Sequence, residues 1–224
     1  MENFFTEQIQ MVREQTIYGN MKWIKATVLE NGDLEVEQIL EYSFNGDYNG
    51  IYITIPTKYE NKEKVISEID DNIYNAQGVV LESVAEIKNN YEINYEKVNT
   101  ARNGQNGVYT ETKNNGEYKL KIYSPSQDEN KKFKVKYSLK NVCVKHNDVG
   151  ELYYNFIGGE WQCSIKDLSI NLYLPHNTEE PKIWGHGPDS GISEIVIKTF
   201  AEFYNVSIDY IAMITNISKP YPKK

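Results

Sequence analysis

From Lys22 onward, apolar and polar residues alternate with a period of two. Ile24, Ala26 and Val28 take turns with Lys25, Thr27 and Leu29 until Asn31-Gly32 interrupts the run. Asn-Gly favours a tight hairpin because both residues tolerate positive φ. On the returning strand Leu34, Val36, Leu40, Tyr42 and Phe44 share one face and Glu35, Glu37 and Glu41 the other. A helix would scatter these positions, whereas a strand sorts them onto two faces. The cluster 45–50 reads as a turn, followed by a β-branched run from Ile51 to Ile55 that Pro56 stops.

Further along, Tyr91, Ile93 and Tyr95 alternate with Glu92, Asn94 and Glu96, which favours strands over the ambiguous stretch from Val79 to Asn99. Segment 99–107 is rich in Asn and Gly and reads as a loop. Asn114-Asn115-Gly116 marks a second hairpin between Val108–Thr112 and Tyr118–Tyr123. Phe133, Val135, Tyr137 and Leu139 point inward, with Lys134, Lys136, Ser138 and Lys140 outward. Later strands are expected at Leu152–Ile157, Ile165–Leu174, Glu194–Phe200 and Val206–Thr215.

Helical spacing is confined to Phe5, Ile9 and Val12 and to Val65, Ile69 and Ile73. The reading is therefore all-β: an antiparallel β-sandwich with short peripheral helices. Residues 1–19 form an N-terminal tail or short helix, 20–218 one sandwich domain, and 219–224 a linker. The rows Glu35/Glu37/Glu41 and Lys134/Lys136/Lys140 are read first as solvated faces that discourage edge aggregation. If their strands adjoin, they would instead pair across the sheet at roughly 0.2–1 kcal/mol each.

Charge narrows the choice of function. The formal net charge of −8 argues against a nucleic-acid partner, which needs a concentrated basic face. No apolar run approaches the ~20 residues that span a bilayer. The 18 tyrosines could form an amphipathic binding face, but Tyr is also a strong strand former. Arrangements for hydrolysis or phosphoryl transfer are missing: no Ser/His/Asp order, HExxH pair or Walker loop occurs.

Candidate chemistry rests on a few loops. Trp161, after Gly158-Gly159, reads first as a plug at the end of the core and second as an exposed ring that stacks on sugars. Trp184, His186 and Asp189 lie in a Gly- and Pro-containing stretch, first a tight turn and second a binding loop. His146, Asp148 and Glu151 offer one nitrogen and two carboxylates to a metal, against a solvated turn as the plainer reading. No cofactor is expected. Cys143 and Cys163 are two buried thiols or a disulfide; the bridge would close a loop of about 20 residues and contribute ~3 kcal/mol.

Several segments, in order, resemble the bacterial family called domain of unknown function 2207. They are Gly32-Asp33-Leu34-Glu35-Val36-Glu37, Tyr42-Ser43-Phe44-Asn45-Gly46, Gly50 to Pro56, Gly150 to Gly158 with Trp161, and Leu172-Tyr173-Leu174-Pro175. Tyr118 to Tyr137 is similar to the family's central pair of strands, while Tyr154 stands where the pattern has Trp. The resemblance implies a membrane-anchored protein whose extracytoplasmic domain this is, here an excised soluble ectodomain at the cell surface. Membrane contact would then run only through segments absent from this chain. It implies no chemistry. The functional expectation is a non-catalytic binding or sensing module for an unknown envelope ligand or protein. The alternatives are an envelope carbohydrate or peptide hydrolase using carboxylates, and a structural or assembly domain.

Overall fold

A computed structural model describes residues 16–58, 74–114, 116–146, 150–156, 165–175 and 195–197. Thirteen strands run in chain order: β1 (Thr16–Val28), β2 (Leu34–Asn45), β3 (Asp47–Pro56), β4 (Gly78–Lys88), β5 (Tyr91–Asn94), β6 (Glu96–Lys97) and β7 (Val108–Asn114). They continue with β8 (Glu117–Gln127), β9 (Asn130–Lys140), β10 (Cys143–Lys145), β11 (Gly150–Leu152), β12 (Ile165–Tyr173) and β13 (Ile195–Ile197). A seven-stranded sheet has the order β13-β12-β1-β2-β9-β4-β5, and a four-stranded sheet the order β3-β8-β7-β6. Strands β10 and β11 form a separate hairpin.

The two large sheets are the layers of a β-sandwich. Ile24, Leu34, Val36, Leu40, Phe133, Val135 and Leu139 of the larger sheet share one buried cluster with Ile51, Ile53, Ile55, Leu120 and Ile122 of the smaller. Each fully buried Ile, Leu or Phe contributes roughly 1.5–3 kcal/mol. Strand β2 follows its expected alternation throughout, and its inner row also includes the buried polar Gln38.

Corners link the layers. Strand β2 runs into β3 through the single residue Gly46 (φ +99°), and β8 into β9 through Asp128 (φ +47°) and Glu129. Because β3 pairs with β8 and β2 with β9, one bent ribbon serves both sheets. Gly46 N–H donates to Asp128 Oδ1 at 2.8 Å where the two bends adjoin. The stretch expected as a turn at 45–50 is therefore this corner and the start of β3, because backbone pairing with β8 continues through it. A third crossing occurs at buried Tyr95, between β5 and β6. Its hydroxyl lies 2.6 Å from Glu86 Oε2 and 3.0 Å from Ser124 Oγ, tying one layer to the other.

Turns refine the expected hairpins. At Asn31-Gly32 only Gly32 has positive φ (+86°), and Gly32 N–H donates to Leu29 O while Leu29 N–H donates to Asp33 O. This is a three-residue loop ending in a left-handed glycine rather than a two-residue turn. Asn89 and Asn90 both adopt positive φ and make the tight β4–β5 turn, as asparagine does more readily than most side chains.

Three expectations change. The sheets are not wholly antiparallel: β1 pairs with β12, β12 with β13 and β6 with β7 in parallel. Strand β2 occupies one edge of β1, and β12 adds Leu168 and Ile170 to the core along the other. The strand expected at Leu152–Ile157 ends at Leu152, after which 153–156 runs as irregular chain. Regular pairing of β1 begins at Thr16, inside the stretch assigned to a tail or helix. The remainder of that stretch, residues 60–73 of the second expected helix (60–76), and the strand at Val206–Thr215 lie outside the described residues.

The acidic and basic rows do pair. Strands β2 and β9 are neighbours, setting Glu37 opposite Lys136 and Glu41 opposite Lys132. Lys136 and Lys134 Nζ lie 3.0 and 3.2 Å from Glu37 Oε2, Lys132 lies 3.1 Å from Glu41, and Lys134 also reaches Glu92 of β5 at 2.7 Å. Burial acts to raise the Glu37 pKa, but hydrogen bonds from Lys136 and Lys134 outweigh it and lower it. Lys140 leaves the row and pairs with Asp33 at 2.8 Å.

Candidate functional site

The β10–β11 hairpin is short, and the chain after it lies against the larger sheet. Tyr154 hydroxyl approaches that of Tyr137 (3.5 Å), and the Tyr154 and Phe156 rings meet edge to face with centroids 4.9 Å apart. Burial pushes Tyr137 up to about 12 and Tyr154 well above the ordinary tyrosine value, so both hydroxyls stay protonated. Phe156 O accepts a 3.0 Å hydrogen bond from Lys22 Nζ. Lys22 stands opposite Leu40 on one side and Leu168 on the other, within the core-facing row of β1. Its burial lowers its pKa to about 7.

At the hairpin itself, His146 Nε2 lies 3.0 Å from Glu151 Oε2, which also accepts the Tyr74 hydroxyl at 2.8 Å. The Tyr74 ring also lies beside that of Tyr153, with centroids 6.2 Å apart. Two of the three expected metal ligands are thus brought together. Asp148 lies outside the described residues, among which no group of three His, Cys, Asp or Glu side chains suits a metal. Trp161, Cys163, Trp184, His186 and Asp189 also lie outside the described residues. Cys143 is half-buried, and burial followed by the Asp33 charge pushes its thiol up to about 11. The loop at 99–107 is present and largely exposed; Arg102 N–H donates to Gln105 Oε1 within it.

Sequence reasoning missed the outer face of the smaller sheet. Ile51, Ile53 and Ile55 of β3 and Leu120 and Ile122 of β8 face the core, so alternation puts Tyr52, Thr54, Lys119 and Lys121 on the opposite face; Tyr123, next along that row, is itself buried at 5% exposure. Lys121 Nζ sits 5.4 Å from the Tyr52 ring centroid and 4.7 Å from that of Tyr123. Hydrogen bonding to Tyr52, then to Tyr123, outweighs burial and raises the Lys121 pKa. Tyr52 is 68% exposed. The signal was available: alternation alone puts Tyr52 and Thr54 opposite the three isoleucines. Pairing of β3 with β8, which brings Lys121 beside Tyr52, is long-range and is not local to either segment.

An all-β sandwich with a separate small hairpin is the class of protein these observations define. The chain belongs to the family described as "Predicted membrane protein (DUF2207) N-terminal domain", whose pattern it matches over residues 22–203. Among the described residues no helix is long and apolar enough to cross a membrane. No curated protein matches the chain. Among solved structures it is similar to a two-domain M1 zinc metallopeptidase bound to L-tryptophan, at 9% identity, TM-score 0.30, and coverage of 55% of this chain and 20% of that one. An M1 zinc metallopeptidase from Deinococcus radiodurans gives 9% identity, TM-score 0.29 and the same coverage. The chain thus spans about a fifth of the length of those enzymes.

Proposed function

We propose that this domain is a non-catalytic binding or sensing module carried on the extracytoplasmic face of a bacterial membrane. Membership in a family of predicted membrane-protein N-terminal domains supports the membrane association. The observation that carries the binding role is the outer face of β3 and β8, where an exposed tyrosine and a lysine are held in contact on a sheet whose other face is core. Side chains fixed on strands present a recognition surface with little ordering left to lose.

A thermal-shift screen of the soluble chain against cell-wall glycans, peptides and divalent metals tests the proposal. A reproducible rise in Tm with one class supports a binding module, and a metal response lost in His146 and Glu151 variants would place it at the hairpin. Silence across all three classes would sink the binding role and favour an assembly domain.

A further inference from the structure

We infer that the outer face of β3, β8 and β7 binds an anionic polysaccharide, with Tyr52 as the stacking platform and Lys121 as the anion anchor. This rests on the reading of the domain as a binding module and names its ligand class. The register builds the surface in rows. Tyr52 stands opposite Lys121, and Lys121 opposite Thr110; two residues on, Thr54 stands opposite Lys119, and Lys119 opposite Thr112. Neighbouring strands are about 4.8 Å apart and successive rows about 7 Å, so the two rows present a ring, hydroxyls and ammonium groups over an area that spans more than one sugar.

Lys121 differs from its neighbour Lys119 and from the lysines of β9, and resembles Lys25 and Lys113, which also lie over tyrosine rings (Tyr173 and Tyr118), except that two rings flank it. Lys132, Lys134, Lys136 and Lys140 each meet a carboxylate, as does Lys119, whose Nζ lies 3.0 Å from Glu117. Among the described residues no carboxylate forms an ion pair with Lys121; two tyrosines flank it instead. That positive charge stands on a chain whose formal net charge is −8. An anionic ligand would find its counter-charge there, and not on the balanced ladder of the larger sheet.

The neighbours favour sugar over other anions. A pyranose has an apolar C–H face and a rim of hydroxyls, which match the exposed Tyr52 ring and the hydroxyls of Thr54, Thr110 and Thr112. A membrane surface would find only two lysines to attract it, one of them paired with Glu117, and no apolar wedge to bury. Duplex or single-stranded nucleic acid would need many more phosphate contacts than two lysines supply.

Isothermal titration of the full chain with polygalacturonate, with neutral dextran of matched length, and with phosphatidylglycerol vesicles tests the inference. Wild type is expected to bind polygalacturonate more tightly than dextran, with an affinity that falls as salt rises. Tyr52→Ala is expected to weaken binding to polygalacturonate by about tenfold, the equivalent of about 1.4 kcal/mol. Lys121→Gln should abolish the preference over dextran and flatten the salt dependence. Tyr52→Thr repeats the first test with a strong strand former, should the alanine variant fold poorly. Polygalacturonate binding that none of the three variants alters would overturn the site. Binding to vesicles but not to polygalacturonate, lost in the same variants, would overturn the sugar assignment in favour of lipid. If polygalacturonate is inert while the thermal-shift screen responds to a peptide or metal, this inference fails and the binding module stands; if everything is inert, both fail.

Discussion

Removing the Asp33 carboxylate is expected to destabilise the domain by about 2–3 kcal/mol at pH 7, through the junction it ties together. Asp33 is 5% exposed and accepts three hydrogen bonds: from Lys140 Nζ at 2.8 Å, Asn141 N–H at 2.9 Å and Asn31 Nδ2 at 3.1 Å. These join the β1–β2 loop to the chain leaving β9, where Cys143 N–H also donates to Gly32 O at 3.0 Å. Lys140 is partly exposed, so its ion pair is worth no more than about 1 kcal/mol, and the remainder comes from the other two donors. For a chain of this size a loss of 2–3 kcal/mol lowers Tm by roughly 5–10 °C. Asp33→Ala removes all three bonds; Asp33→Asn keeps the shape and removes the charge, and should cost about half as much.

The pH dependence gives an independent check. Hydrogen bonds from Lys140 and Asn141 hold the folded-state pKa of Asp33 below its ordinary value. A depressed carboxylate contributes its full stability above the unfolded pKa of about 3.9 and loses it as pH falls through the folded value. Urea unfolding of wild type and Asp33→Ala, followed by circular dichroism, should therefore give a gap that is constant from pH 5 to 7 and narrows below about pH 4. A gap under about 0.5 kcal/mol at pH 7, or one undiminished in acid, would refute the assigned role of the carboxylate.

Three further perturbations follow from other positions. A methyl group at Gly50 (φ +142°) would sit 1.9 Å from Ile122 O, so Gly50→Ala should abolish soluble expression or lower Tm by more than about 10 °C; Gly104→Ala, at φ +91° with open space around it, should cost only about 1–2 kcal/mol in the same melt. Lys22→Met should stabilise the protein by about 1–3 kcal/mol near pH 6, because the charged lysine is buried among apolar residues. Between its folded pKa of about 7 and the unfolded value the unfolded state binds more protons, so wild-type stability rises with pH and the variant's advantage should shrink by pH 9; a gap independent of pH would contradict a neutralised lysine. Alkylation in denaturant without reductant, read by mass spectrometry, decides the Cys143–Cys163 bridge: no labelled thiol supports it and two labelled thiols end it.

Much of the architecture is legible in local pattern. Leu34 to Phe44 and Phe133 to Leu139 alternate so regularly that their strand character and inward faces follow from side-chain geometry alone. The corner at Gly46 was hidden for a definite reason: a glycine- and asparagine-rich stretch has the same composition whether it reverses the chain or bends a strand between layers. Only pairing of β3 with β8 separates the two, and that pairing joins residues more than sixty positions apart. The same limit applied to the charged rows, whose residues were visible but whose adjacency was not.

Lys22 shows the division most clearly. Its chain position makes it an ordinary lysine beside an apolar run, and its burial arises only when Leu40 and Leu168 flank it and Phe156 O reaches its ammonium. What the order of residues determined is therefore which side chains share a face, because backbone geometry dictates that within a strand. Which faces meet, which charges find partners and which, like Lys121, stand between tyrosines was decided by long-range strand pairing, since those contacts depend on segments far apart in the chain.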